Sequence, residues 1–185
     1  MLFLKSIFGE DDIVSRELRA TLTGLDPEYA RRLADALNRY LANLHVVYIK
    51  LRNFHWNVVG VDFIDFHEKL AELYEEVALE IDRIAERIKM LGFFPLASMR
   101  EFVCYATLQE APSAPYNTPT IAYAVASDFA ATARYLREVD EFVRETTDEF
   151  TIDLIAEALG FLEKHVWFFT AYLERMGYAA PKGSQ

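Results

Sequence analysis

Cysteine, glycine and proline are scarce in this sequence. A single thiol, Cys104, excludes a disulfide within the chain, and this cysteine usage is typical of a protein from a reducing compartment. Seven glycines and six prolines among 185 residues are few for a β-fold that turns repeatedly. We therefore expect a cytoplasmic, mainly helical protein whose single core needs neither a disulfide nor a structural metal.

Long apolar runs and clusters of positive charge are also missing. No segment approaches the roughly 20 apolar residues of a membrane span, and the apolar N-terminus is interrupted by Lys5 and followed by three acids, unlike a signal peptide. The formal net charge is −10, and neither end of the chain concentrates lysine and arginine. Because these residues supply most of the affinity for phosphates, we expect neither membrane association nor direct DNA binding.

Apolar residues recur at spacings of three and four along four long stretches, which predicts four amphipathic helices. The first begins at Asp26 and Pro27, a capping side chain followed by a proline in the first turn, and ends near Asn57. The second has Asp65 as its expected N-cap and ends at Leu91. The other two are expected at residues 120–144 and from Asp148 or Thr151 to Gly177.

The segment 93–119 contains four of the six prolines and predicts a long crossover with a short helix at residues 99–105. Four long helices with short links inside each pair and one long crossover define an all-α, ferritin-like four-helix bundle. We expect an N-terminal extension with a short helix at residues 11–23 (1–25), the bundle (26–177) and a C-terminal tail (178–185).

Metal-binding side chains are the main candidates for chemistry in such a bundle. The common di-iron bundles carry a Glu-x-x-His pair on each of two helices, but no histidine here has a glutamate three residues before it. The remaining candidates are His55, His67, Asp82 and Glu86. Imidazole nitrogens together with carboxylate oxygens suit iron. We expect His45 and His165 to be structural.

Helix geometry decides how these four side chains could meet. With a rise of about 1.5 Å per residue, His67 and Asp82 lie about 22 Å apart along the second helix, so one chain cannot close the site. At about 100° per residue, Asp82 and Glu86 nevertheless lie on the same side of that helix as His67. A two-fold axis near Glu75 and Glu76 would bring the histidine end of one chain against the carboxylate end of its mate.

A dense set of motifs lies between residues 43 and 92. It consists of His55-Trp56-Asn57-Val58-x-Gly60, then Phe63, His67-Glu68 and Tyr74, and finally Asp82-x-x-Ala85-Glu86-Arg87. In this register the sequence resembles the Dps family, or mini-ferritins, and a weaker similarity extends over residues 27–175.

This resemblance implies a fold, an assembly and an activity. It implies a hollow shell of twelve subunits with ferroxidase centres at the two-fold interfaces, which oxidise Fe(II), commonly with hydrogen peroxide, and store Fe(III) mineral inside. Carried over by position, His55 and His67 of one chain and Asp82 and Glu86 of the other match the family's iron ligands.

One position departs from the family pattern. The family usually has an acid four residues after the second histidine, where this sequence has Ala71, and a methyl group cannot bind iron. Glu72 lies about 100° further round the helix, whereas Glu75 could reach the centre through water. We therefore expect one of the two iron positions to be weak, with the first iron held by Asp82, Glu86 and one histidine.

The resemblance also implies an iron uptake route through three-fold pores lined by acids near the start of the last helix. Asp148, Glu149 and Asp153 match that stretch, and rings of acids would concentrate cations. Two functions remain open. One is a ferroxidase that removes Fe(II) together with peroxide or oxygen. The other is a protective shell or passive metal store whose centre is weakened by Ala71.

Overall fold

A computed structural model describes residues 22–178 of the chain. It contains helices α1 (Pro27–Asn57), α2 (Phe63–Met90), α3 (Met99–Tyr105), α4 (Thr118–Val143) and α5 (Glu149–Arg175), and strands β1 (Val58–Val59) and β2 (Tyr116–Asn117). The long helices and the short crossover helix α3 lie where the sequence predicts them. The short helix predicted at residues 11–23 falls almost entirely outside the described residues.

The starts of α1 and α2 show where capping signals in the sequence were sufficient to predict the first residue of a helix. α1 begins as predicted, since the Asp26 carboxylate accepts a hydrogen bond from the Tyr29 amide at 2.8 Å. The prediction for α2 was wrong by a few residues. Its N-cap is Asp62 rather than Asp65, which lies in the first turn. Both aspartates precede the buried residue Phe66, where the apolar stripe begins, so the stripe does not distinguish them.

A two-residue parallel pairing of β1 with β2 was not predicted. Val58 pairs with Tyr116 and Val59 with Asn117, which fastens the end of the crossover to the loop between α1 and α2. Strands of two residues are too short to show the period-two alternation that identifies a strand in a sequence. The Asn53 amide adds hydrogen bonds to two carbonyls of the crossover, at 2.9 and 3.1 Å.

The core lies between the four long helices. α1 packs against α2 and α4 against α5, and all four helices contribute fully buried apolar side chains, among them Leu37, Leu44, Leu73, Ile84, Phe129, Leu136, Ile155 and Leu162. This architecture confirms the predicted ferritin-like bundle with a single crossover. Between residues 22 and 178, none of the helices combines the length and apolar character needed to cross a membrane.

Candidate metal centre

His55 and His67 meet where the last turn of α1 faces the start of α2. Their rings stack with centroids 3.7 Å apart. The Nδ1 of His55 lies 2.7 Å from the carbonyl oxygen of His67, and the Nδ1 of His67 lies 2.9 Å from the carbonyl oxygen of His55. Because a carbonyl oxygen only accepts, each Nδ1 carries its proton and donates. With Nδ1 engaged in this way, Nε2 is the ring nitrogen that would bind a metal.

Aromatic side chains hold the two rings in place. Phe63 stacks on His67 with centroids 5.2 Å apart, and the Tyr74 ring meets His55 nearly at a right angle at 5.4 Å. The loop between the two helices is fixed from the other side of the bundle, because the Tyr172 hydroxyl donates to the Asp62 carboxylate at 2.8 Å. The histidine pair thus sits on a rigid support.

The exposed side of α2 carries a stripe that we call the α2 stripe. Its members follow one another at steps of three and four residues: Ile64, His67, Ala71, Glu75, Leu79, Asp82 and Glu86. Two large aliphatic side chains in it are open to solvent, Ile64 at 61% and Leu79 at 69%. Both aliphatic side chains therefore lie on the same face of the helix as the exposed acids Glu75, Asp82 and Glu86.

One chain alone does not complete a ligand set. Asp82 and Glu86 lie one turn apart on the exposed side of α2, at the opposite end of that helix from His67. Within the described range, no three His, Cys, Asp or Glu side chains come together closely enough to hold a metal ion. The structure therefore joins the two histidines and aligns the two acids, but it does not join the two pairs.

Position 71 itself has no carboxylate, and the neighbouring Glu72 makes a different contact. Glu72 turns to its neighbour Lys69, whose ammonium donates to it at 2.9 Å. The hydrogen bond and the charge of Lys69 lower the pKa of Glu72. Glu75 lies on the α2 stripe one turn beyond Ala71 and is exposed.

The Asp148 carboxylate, predicted from the sequence to line a pore, is engaged inside the bundle. It is buried and accepts hydrogen bonds from Arg87 at 2.6 Å, from the Tyr29 hydroxyl at 2.9 Å and from the Thr151 hydroxyl at 2.8 Å. Burial alone would raise the pKa of Asp148, but the Thr151 hydrogen bonds and the Arg87 charge outweigh it and keep the pKa low. This carboxylate is not available to a passing cation.

The remaining two pore candidates and the two histidines expected to be structural lie outside the histidine pair. Glu149 and Asp153 are exposed near the start of α5. His45 stacks on Phe102 with centroids 3.6 Å apart. His165 is buried in the bundle, with its Nδ1 2.9 Å from the carbonyl oxygen of Phe161.

Sequence reasoning missed Arg52. Its guanidinium lies over the rings of Trp56 and Tyr74, 5.1 and 4.9 Å from their centroids, and donates to the Tyr48 hydroxyl at 2.8 Å. The available signal was the spacing on α1, since Tyr48 and Trp56 lie one turn before and one turn after Arg52.

The bundle and its histidine pair place the chain in a class that sequence comparison also identifies. Residues 34–177 match the family model described as a ferritin-like domain. The chain is therefore a ferritin-like protein.

Individual relatives narrow the assignment. The chain is 38% identical to the DNA protection during starvation protein of Brevibacillus brevis, over 77% of this chain and 95% of that protein. A crystal structure of a Dps protein from Vibrio cholerae O1, described as a ferritin-like diiron-carboxylate protein, matches with a TM-score of 0.78 at 33% identity, covering 80% of this chain and 93% of that one. The antigen TpF1 of Treponema pallidum matches with a TM-score of 0.78 at 30% identity, over 80% and 95% of the two chains. The chain belongs to the Dps family.

Proposed function

We propose that this protein is an iron-storing ferroxidase. It oxidises Fe(II) with hydrogen peroxide, or with oxygen, at centres shared between two subunits, and it stores the Fe(III) mineral inside a hollow shell of twelve subunits. The observation that supports the proposal is the reciprocal hydrogen bonding of His55 and His67 through their Nδ1 atoms, which leaves the Nε2 atom of each ring to bind a metal.

The shared centre follows from the α2 stripe. Two copies of α2 packed antiparallel about Glu75 would set Asp82 and Glu86 of one chain opposite the histidine pair of the other. The exposed Ile64 and Leu79 would be covered in the same contact. The family membership of the chain supports this arrangement, and the need for two chains explains why a single chain leaves the pairs about 22 Å apart.

The donor set suits both the substrate and its oxidation. Two imidazole nitrogens and two carboxylates bind iron well, and the two negative charges stabilise Fe(III) more than Fe(II) because the attraction grows with the charge of the ion. The carboxylates thereby favour loss of the electron. Two Fe(II) ions supply the two electrons that reduce one hydrogen peroxide to two hydroxide ions.

We infer that the second iron binds weakly. Ala71 provides no donor, and Glu72 is held by Lys69. The protein therefore oxidises iron more slowly than a centre with a third carboxylate would. Glu149 and Asp153 remain as the acids that would attract iron at a pore. Because the net charge is −10 and neither end of the given sequence concentrates lysine and arginine, we infer that the protein does not bind DNA directly. Its single cysteine is typical of a reducing compartment, and we infer that the protein works in the cytoplasm.

Stopped-flow absorbance tests the proposal. Anaerobic protein is loaded with Fe(II), mixed with peroxide or with oxygenated buffer, and followed by the appearance of Fe(III). We expect the wild-type protein to oxidise Fe(II) faster than protein-free buffer does. In His67→Ala and in Glu86→Gln the oxidation rate should fall to the protein-free value. Glu138→Gln, which removes an exposed acid on α4, is the matched control and should behave as wild type. A wild-type rate equal to that of free iron would leave only the passive store.

A further inference from the structure

The register of α1 and α2 sets Arg52 near the level of Ala71. Two ring contacts fix the register of the antiparallel helices α1 and α2: His55 with His67 and Tyr48 with Tyr74. The same register sets Arg52 opposite Leu70, one residue from Ala71. The cation is therefore at the level of the α2 stripe where the family's third carboxylate is missing.

Three contacts hold the guanidinium at that level. It lies over the rings of Trp56 and Tyr74, 5.1 and 4.9 Å from their centroids, and donates to the Tyr48 hydroxyl at 2.8 Å. Cation–π contacts with two rings and a hydrogen bond together limit the freedom of the side chain. The Tyr74 ring also contacts the ring of His55, so only one ring separates the positive charge from the histidine pair.

Arg52 has no carboxylate partner in the described part of the chain. It is absent from the ion pairs there, which involve other arginines and lysines. A guanidinium stays charged at any working pH and repels a divalent cation close to it. The chain thus combines two features at one level of α2, a missing ligand at Ala71 and a fixed positive charge at Arg52.

We propose that Arg52 sets the metal stoichiometry of the centre at one ion per site. The positive charge of Arg52 takes the place of the second metal ion. Because position 71 is alanine, no carboxylate there pairs with Arg52. This inference rests on the proposed function, because it assumes that the histidine pair binds a metal. A carboxylate restored at position 71 alone would pair with Arg52 instead of binding a second ion.

Cobalt(II) binding tests this without reference to activity. The assembled protein is titrated with Co(II), and stoichiometry and affinity are followed by calorimetry and by the visible absorption of bound cobalt. Wild type and Ala71→Asp should each bind one Co(II) per chain tightly. The double variant Ala71→Asp with Arg52→Gln should bind two, and its affinity for the second ion should be on the order of tenfold or more above any weak second binding in Ala71→Asp.

Arg39→Gln combined with Ala71→Asp provides the matched control. Arg39 is an exposed arginine of the same helix, about 20 Å from Arg52 along its axis, so this variant has the same net charge as the test variant and should bind one ion. A second ion bound equally tightly by Ala71→Asp alone, or by the Arg39 control, would overturn the role of Arg52. So would a double variant that still binds one. If wild type binds no cobalt, or binds it unchanged in His67→Ala, the proposed centre itself is wrong.

Discussion

Removing the Asp148 carboxylate should destabilise the bundle strongly. The side chains of Arg87 and Asp148 are only 8% and 4% exposed, so Asp148→Ala leaves a buried guanidinium without its counter-ion. Breaking one side of a buried ion pair costs about 3–5 kcal/mol. The same substitution removes the N-cap of α5, worth about 1 kcal/mol. Together these give an expected loss of about 4–6 kcal/mol, a large part of the roughly 5–15 kcal/mol that stabilises a typical domain.

Urea unfolding followed by circular dichroism measures this loss, at one protein concentration because assembly contributes to stability. Asp153→Ala is the control, since that acid is exposed on the same helix and should change stability by no more than about 0.5 kcal/mol. The double variant Asp148→Ala with Arg87→Met should lose less than the sum of the single variants, because no buried charge is then left unpaired. Asp148→Ala within about 1 kcal/mol of wild type would refute this reasoning.

Two further predictions concern pH and the support of the centre. Burial lowers the pKa of His165, so below about pH 6.5 the unfolded chain binds a proton at this residue that the folded chain does not bind. The thermal midpoint should therefore fall as the pH drops from 7 to 5, and it should fall less in His165→Leu. An equal fall in His165→Leu and wild type would contradict this role of His165. Tyr172→Phe removes the hydrogen bond to Asp62 and the one shared with Thr118, which should lower stability by about 1–2 kcal/mol and weaken Co(II) binding at the histidine pair. The control Tyr178→Phe, at the end of the described residues, should leave Co(II) binding unchanged. Equal Co(II) affinities in the two variants would show that Tyr172 does not support the centre.

Much of the fold could be predicted because its signals are local. The cap at Asp26 and the apolar spacing along each helix depend on residues within one or two turns. The start of α2 was misplaced because the Asp62 side chain bonds to Tyr172, 110 residues away, and makes no capping hydrogen bond to its own helix. No local pattern contains that partner.

In the candidate site, too, features set by local helix geometry could be predicted, whereas those set by distant residues could not. The common face of His67, Asp82 and Glu86 follows from helix geometry, and the structure places all three on the accessible side of α2. The crossed hydrogen bonds of His55 and His67 depend on how the loop closes. Likewise, the burial of Asp148 depends on Arg87, 61 residues away, so the sequence alone suggested a pore residue where the structure has an ion pair.

Anomalous scattering from crystals soaked in Fe(II) tests whether two chains share an iron centre. We expect an iron peak at a two-fold interface, bound by His55 and His67 of one chain and by Asp82 and Glu86 of its mate, with little or no second peak beside Ala71. Neighbouring chains whose α2 helices do not meet antiparallel near Glu75, or an interface without iron between these four side chains, would contradict it.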